Sequence, residues 1–311
     1  MTAMKTAGEL SLWDIENELQ MRGLNKSGIS TPLAHLPSGE LIVQLRIEQK
    51  GIYGVDDRKD YWEFPNESLK SLARSVVGLF NLNDVIDNND GTCTLKTVPF
   101  KERRLLCATE KFREQPTGPF GSGFLVAPDI IATAGHCVNE ADVTQRLFAF
   151  GFRMENNGAV VTIPSSDVYR GHAVVARTED SGGPDWALVR LDRKVTDRPV
   201  LPIRRSGRIE DGTSVFVMGH PARLPIKFAD GSIVRDNTPS SYFIANLDAY
   251  GGNSGSPVFG TDNVVEGVLV RGDADFTLAE GAACWVSKVC PTTGCQGEHC
   301  TRTTEFAKLV P

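Results

Sequence analysis

From Ser75 onward the apolar residues of this chain come in short β-branched runs broken by turn residues, a texture that points to an all-β fold. The first half holds Val76-Val77-Gly78-Leu79-Phe80, Gly123 to Val126, Ile130-Ile131-Ala132 and Phe148 to Phe152. The second half holds Ala159 to Ile163, Trp186 to Leu191, Ser214 to Met218 and Val264 to Val270. Their spacing suits two β-barrels, one over about 70–195 and one over about 196–290. Asn81 to Cys93, crowded with Asn and Asp, is predicted to be an insertion loop; its acidic side chains fit either a solvated Asx-rich turn or a calcium site.

Bulk properties exclude several classes of function. No apolar stretch of the 311 residues approaches the roughly 20 that a membrane span requires, so no membrane partner is expected. A formal charge of -6 and a pI near 5.5, with no Lys/Arg run, argue against nucleic acid as the main partner. Hydrophobic content of 41% leaves enough apolar side chain for a core.

Three motifs carry chemistry. In Gly251-Gly252-Asn253-Ser254-Gly255-Ser256-Pro257, glycines on both sides of a serine permit the sharp turn that an attacking hydroxyl needs. Serine alone is a weak nucleophile, and Thr133-Ala134-Gly135-His136-Cys137 supplies a histidine base in a small-residue turn. A third group must fix that histidine's tautomer, and Asp185 stands at the head of the apolar run that ends at Leu191. Asp180 and Asp192 are the substitutes, while His172 and His220 lie in no motif that positions a base.

The order His136, Asp185, Ser254, with gaps of 49 and 69 residues, resembles that of the chymotrypsin-like serine peptidases. Gly-Asn-Ser-Gly-Ser-Pro is more similar to the bacterial glutamyl-endopeptidase-like branch than to the Gly-Asp-Ser-Gly-Gly-Pro of trypsin itself. Ile52-Tyr53-Gly54-Val55-Asp56-Asp57-Arg58 is similar to the start of that branch's mature chains. The resemblance covers roughly residues 51 to 311. It implies two antiparallel six-stranded β-barrels with a short C-terminal helix, and hydrolysis of protein or peptide substrates without metal or cofactor. It also implies that Ser254 attacks, His136 shuttles the proton, Asp185 orients His136, and the backbone N–H groups of Gly252 and Ser254 hold the oxyanion.

Specificity follows from the same resemblance. Six residues before the nucleophile, at the floor of the primary pocket in trypsin-like enzymes, stands Asp248, which implies cleavage after Arg or Lys; Ala249, Val270, Arg271 and Gly272 complete the pocket. Leu269 occupies the place of the histidine on which glutamyl-specific relatives depend. An Arg271–Asp248 pair would neutralise the pocket. Two alternatives stay open: a glutamyl-specific endopeptidase, and a non-catalytic peptide-binding module on the same fold. An esterase of the usual kind would order its triad Ser, Asp, His.

Residues 1–50 read as a leader or propeptide, with an uncleaved packed extension as the other possibility, and an activating protease cutting near Lys50 or Gly51 is the implied partner. Asn253, where trypsin relatives carry an aspartate, has no charge to receive a freed amino terminus. Met1 to Lys26 lacks a signal-peptide core, so the chain is cytoplasmic or has lost an export signal. Cys284, Cys290, Cys295 and Cys300 fit either a disulfide-stapled loop or a zinc site without the common Cys-x2-Cys spacing. In the trypsin-like family the cysteine after the histidine pairs with one sixteen residues earlier, which here is Gly121. Cys137 is therefore either a buried small hydrophobe or joined to Cys107 or Cys93.

Overall fold

The computed structural model describes Glu18, His35, Leu36 and residues 51–272, 274–281 and 283–311, so the leader expected over residues 1–50 lies almost wholly outside the described residues. Twelve strands build the body. The first six are β1 (Val76–Asn81), β2 (Gly121–Ala127), β3 (Ile130–Thr133), β4 (Arg146–Phe150), β5 (Val168–Glu179) and β6 (Asp185–Leu191). They close into a barrel in the order β1-β2-β3-β6-β5-β4. The second six are β7 (Ser214–Gly219), β8 (Lys227–Asp236), β9 (Tyr242–Ala245), β10 (Pro257–Phe259), β11 (Val265–Arg271) and β12 (Glu298–Arg302). Their order is β7-β8-β9-β12-β11-β10, and pairing of β10 with β7 shuts this ring too. The second barrel repeats the connectivity of the first, with every pair antiparallel, although the sequence shows no internal repeat.

Burial explains the runs. All seven residues of β2 and all four of β3 are buried, which is why they read as continuous apolar segments rather than alternating ones. In β11, Val268 and Val270 pack into the cluster that includes Leu79, Phe124, Ile131 and Leu188 of barrel one, while Leu269 joins Val215, Val217, Phe243 and Val258 inside barrel two. β11 thus lies on the seam between the barrels with both faces covered. Cys300 fills an apolar place in the second core.

Three expectations change. Asn81 to Cys93 is not an open loop: a 3-10 turn at Leu82–Asp84 leads into Val85–Asp87, which pairs with Thr92–Leu95. The Asp and Asn side chains there bond their own turn, as where Asp90 accepts from the Thr92 amide at 2.9 Å. The short C-terminal helix is replaced by two 3-10 turns, Thr303–Glu305 and Ala307–Leu309, separated by Phe306 at φ -122°. Phe306 instead packs on Trp186, and Arg205 donates to the carbonyls of Ala307 and Val310. Barrel two extends past residue 290, because it closes through β12.

The cysteines follow one alternative of each expectation in part: Cys290–Cys295 staples the tail as a disulfide, and Cys137 is a buried thiol joined to neither Cys107 nor Cys93. Cys107 joins Cys284 and Cys290 joins Cys295, leaving Cys93, Cys137 and Cys300 as buried thiols. No group of side chains able to hold a metal ion occurs among the described residues. Nor is any helix among them long and apolar enough to cross a membrane.

Candidate active site

β3 runs straight into a 3-10 turn, Gly135–Cys137, and its register with β6, Thr133 against Ala187, sets the head of β6 beside that turn. Asp185 uses both oxygens there. Oδ1 accepts the N–H of Gly135 at 2.5 Å and of His136 at 3.2 Å, and Oδ2 lies 2.7 Å from His136 Nδ1. Its own N–H donates to Thr301 Oγ1 on β12, which ties the pair to the second barrel. With Nδ1–H donating to the carboxylate, Nε2 is the imidazole atom left to accept a proton. Burial disfavours the imidazolium, but the Asp185 carboxylate outweighs it, and the His136 pKa stands well above the ordinary histidine range. Burial likewise opposes the Asp185 carboxylate, and His136 together with its hydrogen bonds holds the pKa down.

The serine lies across the seam. Gly252 at φ +96° and Gly255 at φ +90° bracket Asn253 and Ser254 in backbone that only glycine adopts freely. A Cβ on Gly255 would overlap the carbonyl oxygen of Ser122, and one on Gly252 would meet the carbonyl oxygen of His220 at 2.6 Å. Strand β2 holds the turn: Ser122 N–H donates to the Ser254 carbonyl and Ser122 Oγ to the Gly252 carbonyl, both at 2.8 Å. Ser254 Oγ is 3.5 Å from the Val270 carbonyl oxygen on β11. Cys137, the neighbour of His136, has its Sγ 4.0 Å from the Ser254 carbonyl oxygen, so the turn that bears His136 and the serine turn touch through Cys137.

A second set of contacts orients the peptide before Gly252. The Gly251 carbonyl accepts the Ala222 N–H at 2.6 Å, and Gly251 N–H donates to Asp275 Oδ2 at 2.9 Å. Because a trans peptide sets its C=O and N–H on opposite sides, anchoring the Gly251 carbonyl on Ala222 turns the Gly252 N–H the other way. Ala222 and Arg223 reach this position with φ of +49° and +67°, a strained geometry for residues with a Cβ.

The expected pocket residues fare unevenly. Asp248 is buried, but Oδ1 accepts the Tyr53 N–H at 2.7 Å and Oδ2 the Asp57 N–H at 3.1 Å. Burial pushes its pKa up to about 6, and Asp57 beside it is pushed to about 7 by burial and by Asp248. Arg271 does not pair with Asp248. Its guanidinium donates to the carbonyls of Asp180 and Ser181 at 2.9 Å each and to that of Gly183, bracing the loop that leads to Asp185. Ala249 and Val270 are fully buried. A Cβ on Gly272 would overlap the carboxyl of Glu298, a residue the sequence did not single out; nothing in Gln296-Gly297-Glu298-His299 signals a pocket.

The Ile52–Arg58 segment lies against this region. Ile52–Tyr53 pairs in parallel with Val289–Cys290, and Ala249 N–H donates to the Gly51 carbonyl at 3.0 Å. Arg58, almost completely buried, forms a two-point pair with Asp56 and stacks 4.1 Å over the Tyr250 ring. His220 is a buried strand-end histidine stacked on Phe152, with Nδ1 2.9 Å from the Leu224 carbonyl, and burial lowers its pKa to about 4. His172 is exposed on β5, and neither histidine joins the site.

Residues 121–268 match the trypsin-like peptidase domain, a span that contains His136, Asp185 and Ser254. Among solved structures, the chain is similar to human heparin binding protein, at 13% identity and a TM-score of 0.47, over 77% of this chain and 90% of that one. It is also similar to a serine endoprotease from Yersinia pestis, at 18% identity and a TM-score of 0.45, over 80% of this chain and 65% of that one. No curated protein sequence matches.

Proposed function

We propose that this chain is a serine endopeptidase that cuts after Arg or Lys. The observation that carries the reading is the two-oxygen grip of Asp185 on the turn bearing His136, with the Nδ1 contact at 2.7 Å, beside a glycine-bracketed serine. Ser254 Oγ attacks the scissile carbonyl and passes its proton to His136 Nε2, forming a tetrahedral intermediate. The N–H groups of Gly252 and Ser254 hold its oxyanion. The imidazolium then protonates the leaving amine, and water resolves the acyl-enzyme by the same proton route. The raised His136 pKa fits a histidine that must hold a proton between these steps.

Preference for a basic side chain is supported by the buried Asp248 carboxyl and by Arg271, whose guanidinium donates to the 180–183 carbonyls rather than to Asp248. Incubating a diverse peptide mixture with wild type and with Ser254→Ala, read by mass spectrometry, tests the reading. Cuts after Arg and Lys that vanish in the variant are expected; cuts that persist would remove Ser254 from the mechanism. A wild type that neither cuts peptides nor reacts with a fluorophosphonate would instead be a binding module.

A further inference from the structure

We infer that the cavity lined by His220 binds a small aromatic acid with an O–H donor, and that its occupation steadies the turn carrying Ser254. The second half of this assignment rests on the peptidase reading above. The cavity holds about 190 Å³ between the start of β1, the 151–153 corner after β4, the Asp197–Arg198 corner and the 220–226 loop. Neither the His136–Asp185 pair nor the serine turn contributes to its walls.

The floor is apolar apart from one atom. Val76, Phe152 and Ile226 are buried there, Ile226 N–H donates to the Phe152 carbonyl at 3.0 Å, and the Phe152 ring stacks on His220 at 5.9 Å. Burial lowers the His220 pKa to about 4 and keeps the ring neutral, and the Nδ1 contact with the Leu224 carbonyl at 2.9 Å sets the proton on Nδ1. Nε2 is then an acceptor to which no described residue donates, yet it is not sealed from solvent, and the cavity is the space that His220 lines. The mouth carries charge. Arg198 is held by Asp167 and Asp197, and Arg153 by Glu155. Arg74, exposed at the rim, makes no ion pair among the described residues and gives one N–H to the Asp197 carbonyl at 2.6 Å. A ligand that satisfies both ends therefore carries a carboxylate for Arg74, a flat apolar body for the Phe152 and Tyr61 walls, and an O–H for Nε2. A cavity of roughly 150 Å³ holds a benzene ring, so one substituted ring fits.

His220 joins this cavity to the serine turn. Its N–H donates to Ser122 Oγ at 3.0 Å, and that hydroxyl donates to the Gly252 carbonyl at 2.8 Å. Its carbonyl accepts the Arg223 N–H at 3.2 Å, and Ala222, two residues on, anchors the Gly251 carbonyl from a positive φ. A ligand that fixes the His220 ring thus restricts the corner that orients the Gly252 N–H. Donors held in place before reaction raise kcat rather than substrate affinity.

Binding is measured apart from turnover. Calorimetry titrates para-hydroxybenzoate and benzoate into the full-length wild type, and NMR follows the His220 ring nitrogens, assigned by their loss in His220→Gln. Para-hydroxybenzoate should bind one to one and shift Nε2. Benzoate, which lacks the O–H, should bind about tenfold more weakly, and Arg74→Ala should weaken para-hydroxybenzoate about fivefold or more. No binding, equal binding of the two acids or an unmoved Nε2 overturns the site. If His220→Gln does not fold, the pair of acids and Arg74→Ala, a change at an exposed side chain, decide alone. Saturating para-hydroxybenzoate should raise kcat on a peptide substrate about twofold or more with little change in KM, and binding that leaves kcat unchanged overturns the effector role. Binding through His220 in a protein that hydrolyses no peptide would sink the peptidase reading and leave the binding site standing.

Discussion

The sulfur of Cys137 stands 3.1 Å from the point where a Cβ on Gly121 would lie. That is about the span from a Cβ to the far sulfur of a disulfide, given an S–S bond of about 2.05 Å. Positions 121 and 137 therefore hold the spacing of a cross-link in which only Cys137 carries a sulfur. In Gly121→Cys the introduced thiol should oxidise onto Cys137, seen as a loss of about 2 Da in non-reducing intact mass and a raised Tm. A thiol that stays free at position 121 under oxidising conditions would show that the two segments lie farther apart.

The carboxylate of Asp185 raises the His136 pKa, so its removal should lower it. Activity requires neutral imidazole and should rise with pH through that pKa. In Asp185→Asn, kcat should fall by about 10⁴ and the acidic limb of the kcat/KM profile should move to lower pH. An acidic limb that stays in place would mean that another group sets it.

A methyl on Gly252 would press on the His220 carbonyl and, at 2.9 Å, on the Arg223 amide, displacing the loop that anchors Gly251. Gly252→Ala should lower kcat by roughly 10² to 10³ with a much smaller change in KM. Steady-state kinetics on one peptide substrate suffices, and a rise in KM alone would exclude an oxyanion role.

Asp57 carries a folded pKa of about 7 against an ordinary 3.8, because burial and Asp248 both disfavour its charge. The fold thus holds a proton that the unfolded chain has lost over that window, and stability falls as pH rises from about 4 to about 7. Asp57→Asn removes this loss. Its Tm advantage over wild type should be a few degrees larger at pH 8 than at pH 4, read by differential scanning fluorimetry. Equal differences at both pH values would show that the 53–58 segment does not bury Asp57 in solution.

The strands that carry the two readable features of an all-β chain, short runs and full burial, were legible: seven of the eight apolar runs lie on single strands or overlap them, while Ala159 to Ile163 bridges two short strands, Gly158–Ala159 and Thr162–Pro164, with Val160 and Val161 between them. The motifs around His136, Asp185 and Ser254 are local and could be read from neighbouring residues alone. What stayed hidden depends on partners distant in sequence. β5 is only half-buried, and bulges between Gly171 and Ala173 and between Val174 and Ala176 break its alternation. β12 reads as a polar tail, Glu298-His299-Cys300-Thr301-Arg302, because its polar residues are buried by contacts with Gly51, Asp185 and Asn237. Cys107 and Cys284 lie 177 residues apart, and no spacing rule pairs them. Asp248 was found by counting back from Ser254, but counting could not show that the Tyr53 and Asp57 amides had claimed it.

β12 sits between β9 and β11, so the second ring stays open until residue 302 has been made. Thr301 and Glu298 on that strand also complete the support of Asp185 and the wall beside Gly272. A nascent chain on the ribosome can finish its first barrel and present His136, yet it lacks a closed cleft until β12 has emerged. Synthesis order alone thus postpones the closing of the cleft to the last stretch of the chain.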